Sequence, residues 1–375
     1  MRVLVLLDHS IPAQQALWEE VARRDVDLHV GYTLAVPRSA EIAPPEAGTT
    51  HQLAAIGLRG DRRTWMAYRG VRALVGTVRP DLVHVLNEPW SVVALQATHA
   101  GAPHVVVQGI ENLWDQGGAP EVRARRLLTR HNLRRSSGFV SWNTQGAAWS
   151  RQWGLRSTSP TLVLCAEPPR LERFHHPERR RSEGRGQWGL GEDEFVVGYV
   201  GRLVAEKGLD WLLASWKAAA LADNARLVFV GQGPLEPVIR SAAATDDRIR
   251  LVGPVPLDHV PSVMASLDAL VLPSLTTKGW SEQYGRVITE AMASGVPVIA
   301  SDSGAIPEVV GDAGILVREG SVAELAAGLT RVGSDPAERE RLRRAGYARA
   351  EVEFSPRQGA DRLVAFWDEV QSARS

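Results

Sequence analysis

The sequence predicts an α/β fold made of two doubly wound, Rossmann-like domains, each a parallel sheet with helices on both faces, that face each other across a cleft. Short apolar runs alternate with longer amphipathic segments, as in successive strand–helix–strand units. A polar stretch rich in Arg and Gly, residues 167–191, interrupts this alternation, and 375 residues is the length of about two domains. Ligands of such sheets bind beyond the carboxyl ends of the strands, so we expect the site in the cleft.

The first half supplies the elements of one sheet. An apolar run at residues 3–7 predicts the first strand, and residues 13–24 predict the helix that covers it. Further strands are predicted at residues 27–33, 82–86, 104–108, 139–142 and 161–165. Together with the polar stretch, which we interpret as a solvated, mobile linker, they define an N-terminal, acceptor-side domain over residues 1–185.

The second half repeats the pattern and ends in a long amphipathic segment. Strands are predicted at residues 195–199, 226–230, 249–252, 269–272, 298–300 and 315–317. Helices are predicted between them, at residues 210–221, 236–243, 260–266, 286–294 and 322–332. This domain spans residues 186–356, and the segment at residues 357–375 predicts a helix that could pack back on the N-terminal domain.

The composition argues against several classes of protein. Lys plus Arg and Asp plus Glu both number 43, and a net charge of zero argues against a nucleic-acid-binding protein. No apolar stretch is long enough to cross a membrane, and the N-terminal run is too short for a signal peptide, so a cytoplasmic protein is expected. The single cysteine, Cys165, lies in a predicted buried strand and is interpreted as a core thiol.

One segment is locally basic, because arginines recur through residues 123–135 on a predicted helix. We interpret it as a solvated helix face. Attraction to an anionic lipid or an anionic acceptor is the alternative, so peripheral membrane contact is not the favoured interpretation.

The first segment with chemical meaning follows the strand at residues 195–199. Gly201 comes directly after that strand, and the loop beyond it carries Arg202 and Lys207. A glycine lets a ligand approach the backbone closely, an arginine offers a fork of donors for phosphate oxygens, and a lysine offers a point charge. A glycine turn with two solvated cations is the alternative interpretation of this short motif.

The second segment, residues 281–295, is more specific. Glu282 and Glu290 frame it, and Gly285 marks a tight turn into the helix that carries Glu290. The start of a helix offers N–H groups and a positive dipole end to a diphosphate. Glu290 could accept hydrogen bonds from ribose hydroxyls and Glu282 from a sugar hydroxyl, whereas two exposed carboxylates would be the alternative.

Residues 196–317 resemble the GT-B-fold retaining glycosyltransferases of family 4. The resemblance rests on residues 201–208, on the glycine turn at residues 231–233, and above all on residues 282–290 running on to Glu308. It implies a hexosyltransferase that uses a nucleotide-diphosphate sugar, needs no metal or other cofactor, and acts on a small molecule, lipid or polysaccharide.

The resemblance also implies roles for the matching residues. The catalytic set would be Arg202 and Lys207, which would hold the donor diphosphate, and Glu282, which would contact the transferred sugar. Glu290 would hold the ribose. The remaining donor-binding positions are Gly201, Gly253, Val255, Gln283, Tyr284 and Gly285. In the family's retaining chemistry, the acceptor attacks from the face that the diphosphate leaves, and a phosphate oxygen takes its proton.

The likeness is weaker in the first half, where residues 79–84 carry it. Many relatives have a histidine after the strand at residues 104–108, where this chain has polar residues of other types, so a histidine that aligns the acceptor is not implied. The candidate acceptor contacts follow predicted strands, at His9, Glu88, Gln108, Glu111 and Asn112.

Other functions remain open from the sequence. A pseudo-glycosyltransferase that joins a nucleotide-activated cyclitol to an amine would have the same diphosphate site, so only substrate tests separate it. The intact set of cations and carboxylates argues against a non-catalytic nucleotide-sugar-binding module. A nicotinamide dehydrogenase is disfavoured because no GxGxxG follows the first strand.

Overall fold

The computed structural model describes residues 1–7, 12–33, 46–57, 65–112, 119–165, 167–174 and 177–373. The chain forms two compact units. Unit 1 consists of Met1–Pro168 and Pro356–Ser375, and unit 2 consists of Pro169–Ser355.

Unit 1 contains a parallel sheet and the helices that cover it. Its strands are β1 Arg2–Leu7, β2 Asp27–Tyr32, β3 Thr49–Gln52, β4 Ala55–Ile56, β5 Ala67–Tyr68, β6 Leu82–Leu86, β7 His104–Gly109, β8 Gly138–Ser141 and β9 Thr161–Val163. Its helices before the crossing to unit 2 are α1 Pro12–Ala22, α2 Val71–Val78, α3 Val92–Thr98, α4 Pro120–Arg135 and α5 Thr144–Gln152. The sheet order is β3-β2-β1-β6-β7-β8-β9, while β4 and β5 form a separate antiparallel pair.

The central strand shows why this sheet is covered on both faces. In β1, Val3, Val5 and Leu7 pack into one core cluster, whereas Leu4 and Leu6 pack into another. A parallel strand that is buried on both sides has no polar face, and this is the physical origin of the continuous apolar run in the sequence.

Unit 2 repeats the arrangement with six strands. They are β10 Phe195–Val200, β11 Ala225–Val230, β12 Ile249–Gly253, β13 Ala269–Leu272, β14 Val298–Ser301 and β15 Ile315–Val317, in the order β12-β11-β10-β13-β14-β15. Its helices are α6 Leu171–Phe174, α7 Pro177–Gln187, α8 Leu209–Ala218, α9 Glu236–Thr245, α10 Val260–Ala265, α11 Arg286–Ala293, α12 Ile306–Val310, α13 Val322–Ser334 and α14 Pro336–Glu353. Every recorded strand pairing in both large sheets is parallel, which confirms the prediction of two doubly wound α/β domains.

The last helix, α15 Pro356–Ser372, belongs to unit 1. It packs against α1 and places Leu363, Phe366 and Trp367 in the same core cluster as Val3. The second unit is therefore inserted between two parts of the first.

The described part of the polar stretch at residues 167–191 is not a mobile linker. It contains α6 and α7, and from Pro169 onward it belongs to unit 2, which therefore begins at Pro169 rather than at residue 186. Arg185 on α7 is fully buried, and its guanidinium donates to the carbonyl oxygens of Gly191, Glu192, Glu194 and Ser266 and to the carboxylate of Asp268. The prediction was wrong because this helix buries a charged side chain where an apolar stripe is the usual signal.

Several other elements carried too little apolar signal to be predicted. The edge strand β3 reads Thr-Thr-His-Gln, and the long helix α14 is rich in Arg and Glu. The strand predicted at residues 161–165 ends at Val163, although Cys165 beyond it is buried. No helix within the described ranges is long and apolar enough to cross a membrane.

Candidate functional site

A cavity of about 490 Å³ opens at the carboxyl edge of the sheet in unit 2. Its walls come from the loops after β10, β11 and β12 and from the start of α11. The strand order reverses between β10 and β13, and the crevice at such a switch point is where doubly wound sheets bind ligands. The volume lies within the usual range for small-molecule sites, about 300–1,000 Å³.

Two glycine-containing turns meet at the back of the cavity. A Cβ at Gly231, which has a φ of 144°, would lie 1.9 Å from the carbonyl oxygen of Gly201. Only glycine permits this approach of two backbone segments. The Tyr199 hydroxyl donates to the carbonyl oxygen of Arg202 at 2.6 Å, and burial raises the pKa of Tyr199, so the hydroxyl keeps its proton. From the sequence alone, an ordinary turn is the favoured interpretation of residues 231–233 and a nucleotide lying against their backbone is the alternative, because a short glycine turn is a common feature.

The cation of the Gly201 loop is fixed by a buried carboxylate. Lys207 ends a 3₁₀ turn, and its Nζ donates to Glu282 Oε2 at 2.5 Å. The same oxygen accepts a hydrogen bond from Ser274 Oγ at 2.7 Å. The Lys207 Nζ also lies 4.8 Å from the centre of the Trp280 ring. The side chains of Lys207 and Glu282 are only 13% and 10% exposed, so the ion pair is shielded from water.

The second wall is the N terminus of α11. Gly285 precedes the helix with a φ of 80°, a left-handed conformation that favours glycine, and as the N-cap residue it has no side chain that could accept from the first backbone N–H groups. Backbone N–H groups at this end therefore point toward the cavity edge with the positive end of the helix dipole. Arg286 and Glu290 form an ion pair along the helix, with 3.4 Å between Nε and Oε1.

The cavity brings together most of the predicted donor-site residues. Those that line it are Gly201, Arg202, Lys207, Val255, Glu282, Gly285 and Glu290. Gly253, Gln283 and Tyr284 lie beside the cavity rather than in its lining, and the Tyr284 ring packs edge-on against Phe354. Cations and carboxylates alternate around one space, an arrangement suited to a ligand that carries both phosphate oxygens and hydroxyl donors.

Further residues join the site beyond the predicted site residues, and Gly231 and Gln232 among them belong to the glycine turn that carries part of the family resemblance. Gly231, Gln232, Pro254 and Arg286 line the cavity, and Ser274 and Trp280 contact its ion pair. Ser274 and Trp280 flank a turn with no motif of its own, so nothing in the local sequence marks them. Within the described residues, no group of His, Cys, Asp and Glu is arranged to hold a metal ion.

Four of the five acceptor-side candidates lie at the carboxyl edge of the sheet in unit 1. Glu88 follows β6, and its Oε1 accepts a hydrogen bond from the Ile110 backbone N–H at 2.9 Å. Gln108 is on β7 and Asn112 is just beyond it; both are buried, and Glu111 is partly buried. These four residues are thus near neighbours, whereas His9 lies outside the described residues.

Comparison with known proteins identifies the family. The model of the family described as glycosyl transferases group 1 matches residues 194–335, a range that contains the whole cavity lining. The 2-deoxystreptamine glucosyltransferase of Streptomyces kanamyceticus is 36% identical over 343 residues, which cover 84% of each chain. The chain belongs to the group 1 glycosyltransferases.

A second relative of this glycosyltransferase supports the assignment. The 2-deoxystreptamine N-acetyl-D-glucosaminyltransferase of Streptomyces fradiae is 31% identical over 326 residues, which cover 81% of this chain and 74% of the relative. The prediction of a glycosyltransferase is confirmed.

The fold of the glycosyltransferase is also shared by solved structures. HepE of Anabaena, crystallised with UDP, matches with a TM-score of 0.74 at 20% identity over 98% of this chain and all of that chain. A sucrose-phosphate synthase of Thermosynechococcus elongatus matches with the same TM-score and identity over the full length of both chains.

Proposed function

We propose that this glycosyltransferase is a retaining, GT-B-type enzyme of family 4 that moves a hexosyl residue from a nucleotide-diphosphate sugar to a hydroxyl of an aminocyclitol. The observation that carries the donor half is the cavity of unit 2, where Arg202, Lys207, Glu282 and Glu290 surround one space at the start of a helix. A donor of this kind combines a diphosphate, a ribose and a sugar, and the cavity has a group suited to each.

Charge and hydrogen-bond chemistry assign the parts of the donor. Arg202, Lys207 and the N–H groups at the start of α11 bind the diphosphate, because cations and helix N termini both attract anions. Glu290 accepts from the ribose hydroxyls and Glu282 from a hydroxyl of the transferred sugar. Val255, in the loop after β12, borders the base.

The reaction needs positioning and charge stabilisation rather than a protein nucleophile. The acceptor oxygen forms a bond to the anomeric carbon on the face from which the diphosphate oxygen departs, and a phosphate oxygen takes the hydroxyl proton. Negative charge grows on the leaving diphosphate, and the cations of Arg202 and Lys207 offset it without a metal ion.

The relatives and the chemistry of unit 1 support an aminocyclitol acceptor. Two relatives, which match 84% and 81% of this chain, are named for 2-deoxystreptamine, whose amino groups are cationic near neutral pH. Two of the acceptor-side candidates, Glu88 and Glu111, are acidic and lie close together at the carboxyl edge of that sheet. Carboxylates provide charge-assisted hydrogen bonds to ammonium groups.

Two measurements test the proposal in order. A thermal-shift screen with UDP, GDP, ADP, CMP and dTDP should single out one nucleotide, because a ligand that binds the folded state raises the apparent stability. The matching nucleotide sugar and 2-deoxystreptamine should then give a product with one added hexosyl residue by mass spectrometry. The anomeric coupling in its NMR spectrum should show the configuration of the donor.

The outcomes separate the parts of the proposal. No shift with any nucleotide would overturn the donor assignment, and a product of inverted configuration would overturn retention. Donor binding without transfer to an aminocyclitol would overturn the acceptor class. Coupling of a nucleotide-activated cyclitol to an amine of the acceptor would identify the pseudo-glycosyltransferase instead.

A further inference from the structure

Trp280 lies against the ammonium group that the proposed donor site relies on. The Lys207 Nζ is 4.8 Å from the centre of the Trp280 ring, within the range of a cation–π interaction. The indole is partly buried and the Lys207 side chain is only 13% exposed, so little water competes for the ammonium group. Attraction of a cation to an aromatic face strengthens when both groups are desolvated.

The Trp280 ring differs from Glu282, the other partner of Lys207, because the ring carries no negative charge. Glu282 Oε2 binds both Lys207 Nζ and Ser274 Oγ, and the proposed function also asks Glu282 to accept from a sugar hydroxyl. A diphosphate competes with that carboxylate for the lysine cation, because both are anions. An aromatic ring is not an anion, so Lys207 can bind a phosphate oxygen and keep its contact with the ring.

The backbone of the segment that carries the ring is closed into a turn and anchored at Thr276. The Thr277 backbone N–H donates to the carbonyl oxygen of Trp280 at 2.7 Å. The backbone N–H and the hydroxyl of Thr276 each donate to a carboxylate oxygen of Glu319, both at 2.6 Å. The backbone of the turn is therefore held from the loop after β15 by contacts that do not involve Lys207.

We propose that Trp280 is a positioning residue for donor binding. Its ring holds the Lys207 ammonium group in the cavity while that ammonium group exchanges its ion pair with Glu282 for one with the donor diphosphate. This inference rests on the proposed function, since it deepens the role of the donor site. It assigns Trp280 an effect on diphosphate affinity that acts through Lys207 and requires an aromatic face.

The test uses inorganic pyrophosphate and a nucleoside diphosphate as probes, with dissociation constants measured by calorimetry on the full chain. Trp280→Leu should weaken pyrophosphate binding about 3- to 30-fold, the range expected for a partly or fully desolvated cation–π contact. Trp280→Phe should recover most of that loss, because it restores an aromatic face. Trp188→Leu, at a partly buried tryptophan of the same unit outside the cavity lining, is the matched control and should bind like the wild type.

A double-mutant cycle separates positioning from a general packing effect. In a Lys207→Met background, Trp280→Leu should cause no further loss of pyrophosphate affinity, because the contact is already absent. The same loss in both backgrounds, or no rescue by Trp280→Phe, would overturn the positioning role. Wild-type protein that binds neither probe would overturn the donor site itself, whereas wild-type binding equalled by Trp280→Leu would overturn the Trp280 proposal alone.

Discussion

At the scale of single residues, opposite charges in the cavity hold one another in place. Lys207 is paired with Glu282, and Arg286 with Glu290. A ligand with phosphates and hydroxyls can exchange each of these contacts for one of the same kind, which keeps the cost of binding low.

Replacing Glu290 with Ala should weaken binding of the nucleoside diphosphate about 10- to 100-fold, since a hydrogen bond to a charged group contributes about 1.5–3 kcal/mol. The unfolding free energy should change little, because the ion pair with Arg286 is a single contact along one helix. Calorimetric titration and urea unfolding measure the two effects. Glu340→Ala removes an arginine-paired carboxylate outside the cavity and should leave affinity unchanged; unchanged affinity in Glu290→Ala would contradict the ribose assignment.

The glycine contact at the back of the cavity gives a second prediction. A methyl group at Gly231 would meet the Gly201 carbonyl at 1.9 Å, and its φ of 144° is strained for any other residue. Gly231→Ala should therefore lower the unfolding free energy by about 2–4 kcal/mol and weaken nucleotide binding. Urea unfolding is the measurement.

The matched control for Gly231→Ala is Gly186→Ala in α7, where an added Cβ meets nothing within 4 Å. It should gain about 0.5–1 kcal/mol, because alanine favours a helix over glycine. A Gly231→Ala variant as stable as this control would show that the two backbone turns are free to separate.

At the scale of elements, α7 is attached to the rest of unit 2 through the buried charge of Arg185. Arg185 is fully buried, and its guanidinium donates at 2.7 Å both to Asp268 and to the carbonyl oxygen of Gly191. Asp268 in turn accepts from the Val196 backbone N–H at the start of β10. The arginine therefore joins the helix, the turn after it and the first strand of the sheet.

Replacing Arg185 with Met should cost about 3–5 kcal/mol of unfolding free energy, because it leaves several carbonyl oxygens without this buried donor, at about 1–3 kcal/mol for each group left unsatisfied. Asp268 loses one partner but keeps Arg181 and the Val196 N–H. Arg240→Met removes an arginine whose side chain is 67% exposed and should change the unfolding free energy by less than about 0.5 kcal/mol. Urea unfolding of both variants is the comparison. Equal stability would mean that the Arg185 network is not a major anchor of α7.

The elements also show which parts of the fold could be predicted. Strands buried on both faces, such as β1, β10 and β13, are continuous apolar runs and were found within a residue or so of their ends. The edge strand β3 buries few side chains, and the helix α7 buries a charged one, so neither element shows a periodic apolar pattern.

The part of the candidate site that could be predicted is likewise the part with a local sequence pattern. Arg202, Lys207, Glu282 and Glu290 belong to an ordered motif, and the structure places all of them on one cavity. Trp280 could not be found this way, because its contact with Lys207 joins positions far apart in the chain. Contacts of that kind depend on sheet topology rather than on local spacing.

At the scale of the whole molecule, the core of unit 1 contains a titratable group. His84 on β6 is fully buried between the edges of Trp18 and Trp367, and burial lowers the pKa of His84 to about 3. In the unfolded chain the pKa returns to about 6.5. The folded state therefore binds fewer protons, and its stability is full above pH 6.5 and falls as the pH drops toward 3.

Because the unfolded chain takes up a proton at His84, the unfolding free energy of the wild type should fall by about 2 kcal/mol between pH 7.5 and pH 5. The slope is about 1.4 kcal/mol per pH unit below pH 6.5. His84→Leu should lose correspondingly less stability over that interval. Urea unfolding at the two pH values measures the difference, and His259→Leu, at an exposed histidine, should follow the wild type. Identical pH dependence in His84→Leu and the wild type would show that burial does not lower the pKa of this imidazole in the folded state.

The position of α15 has a consequence for the order in which the chain folds during synthesis. The ribosome releases the residues of unit 2 before it releases Leu363, Phe366 and Trp367, which complete the core of unit 1. The half of the protein that is made first is therefore finished last. Until α15 emerges, the apolar face around α1 and β1 is incomplete, and a nascent chain stalled before this helix would present that face to chaperones.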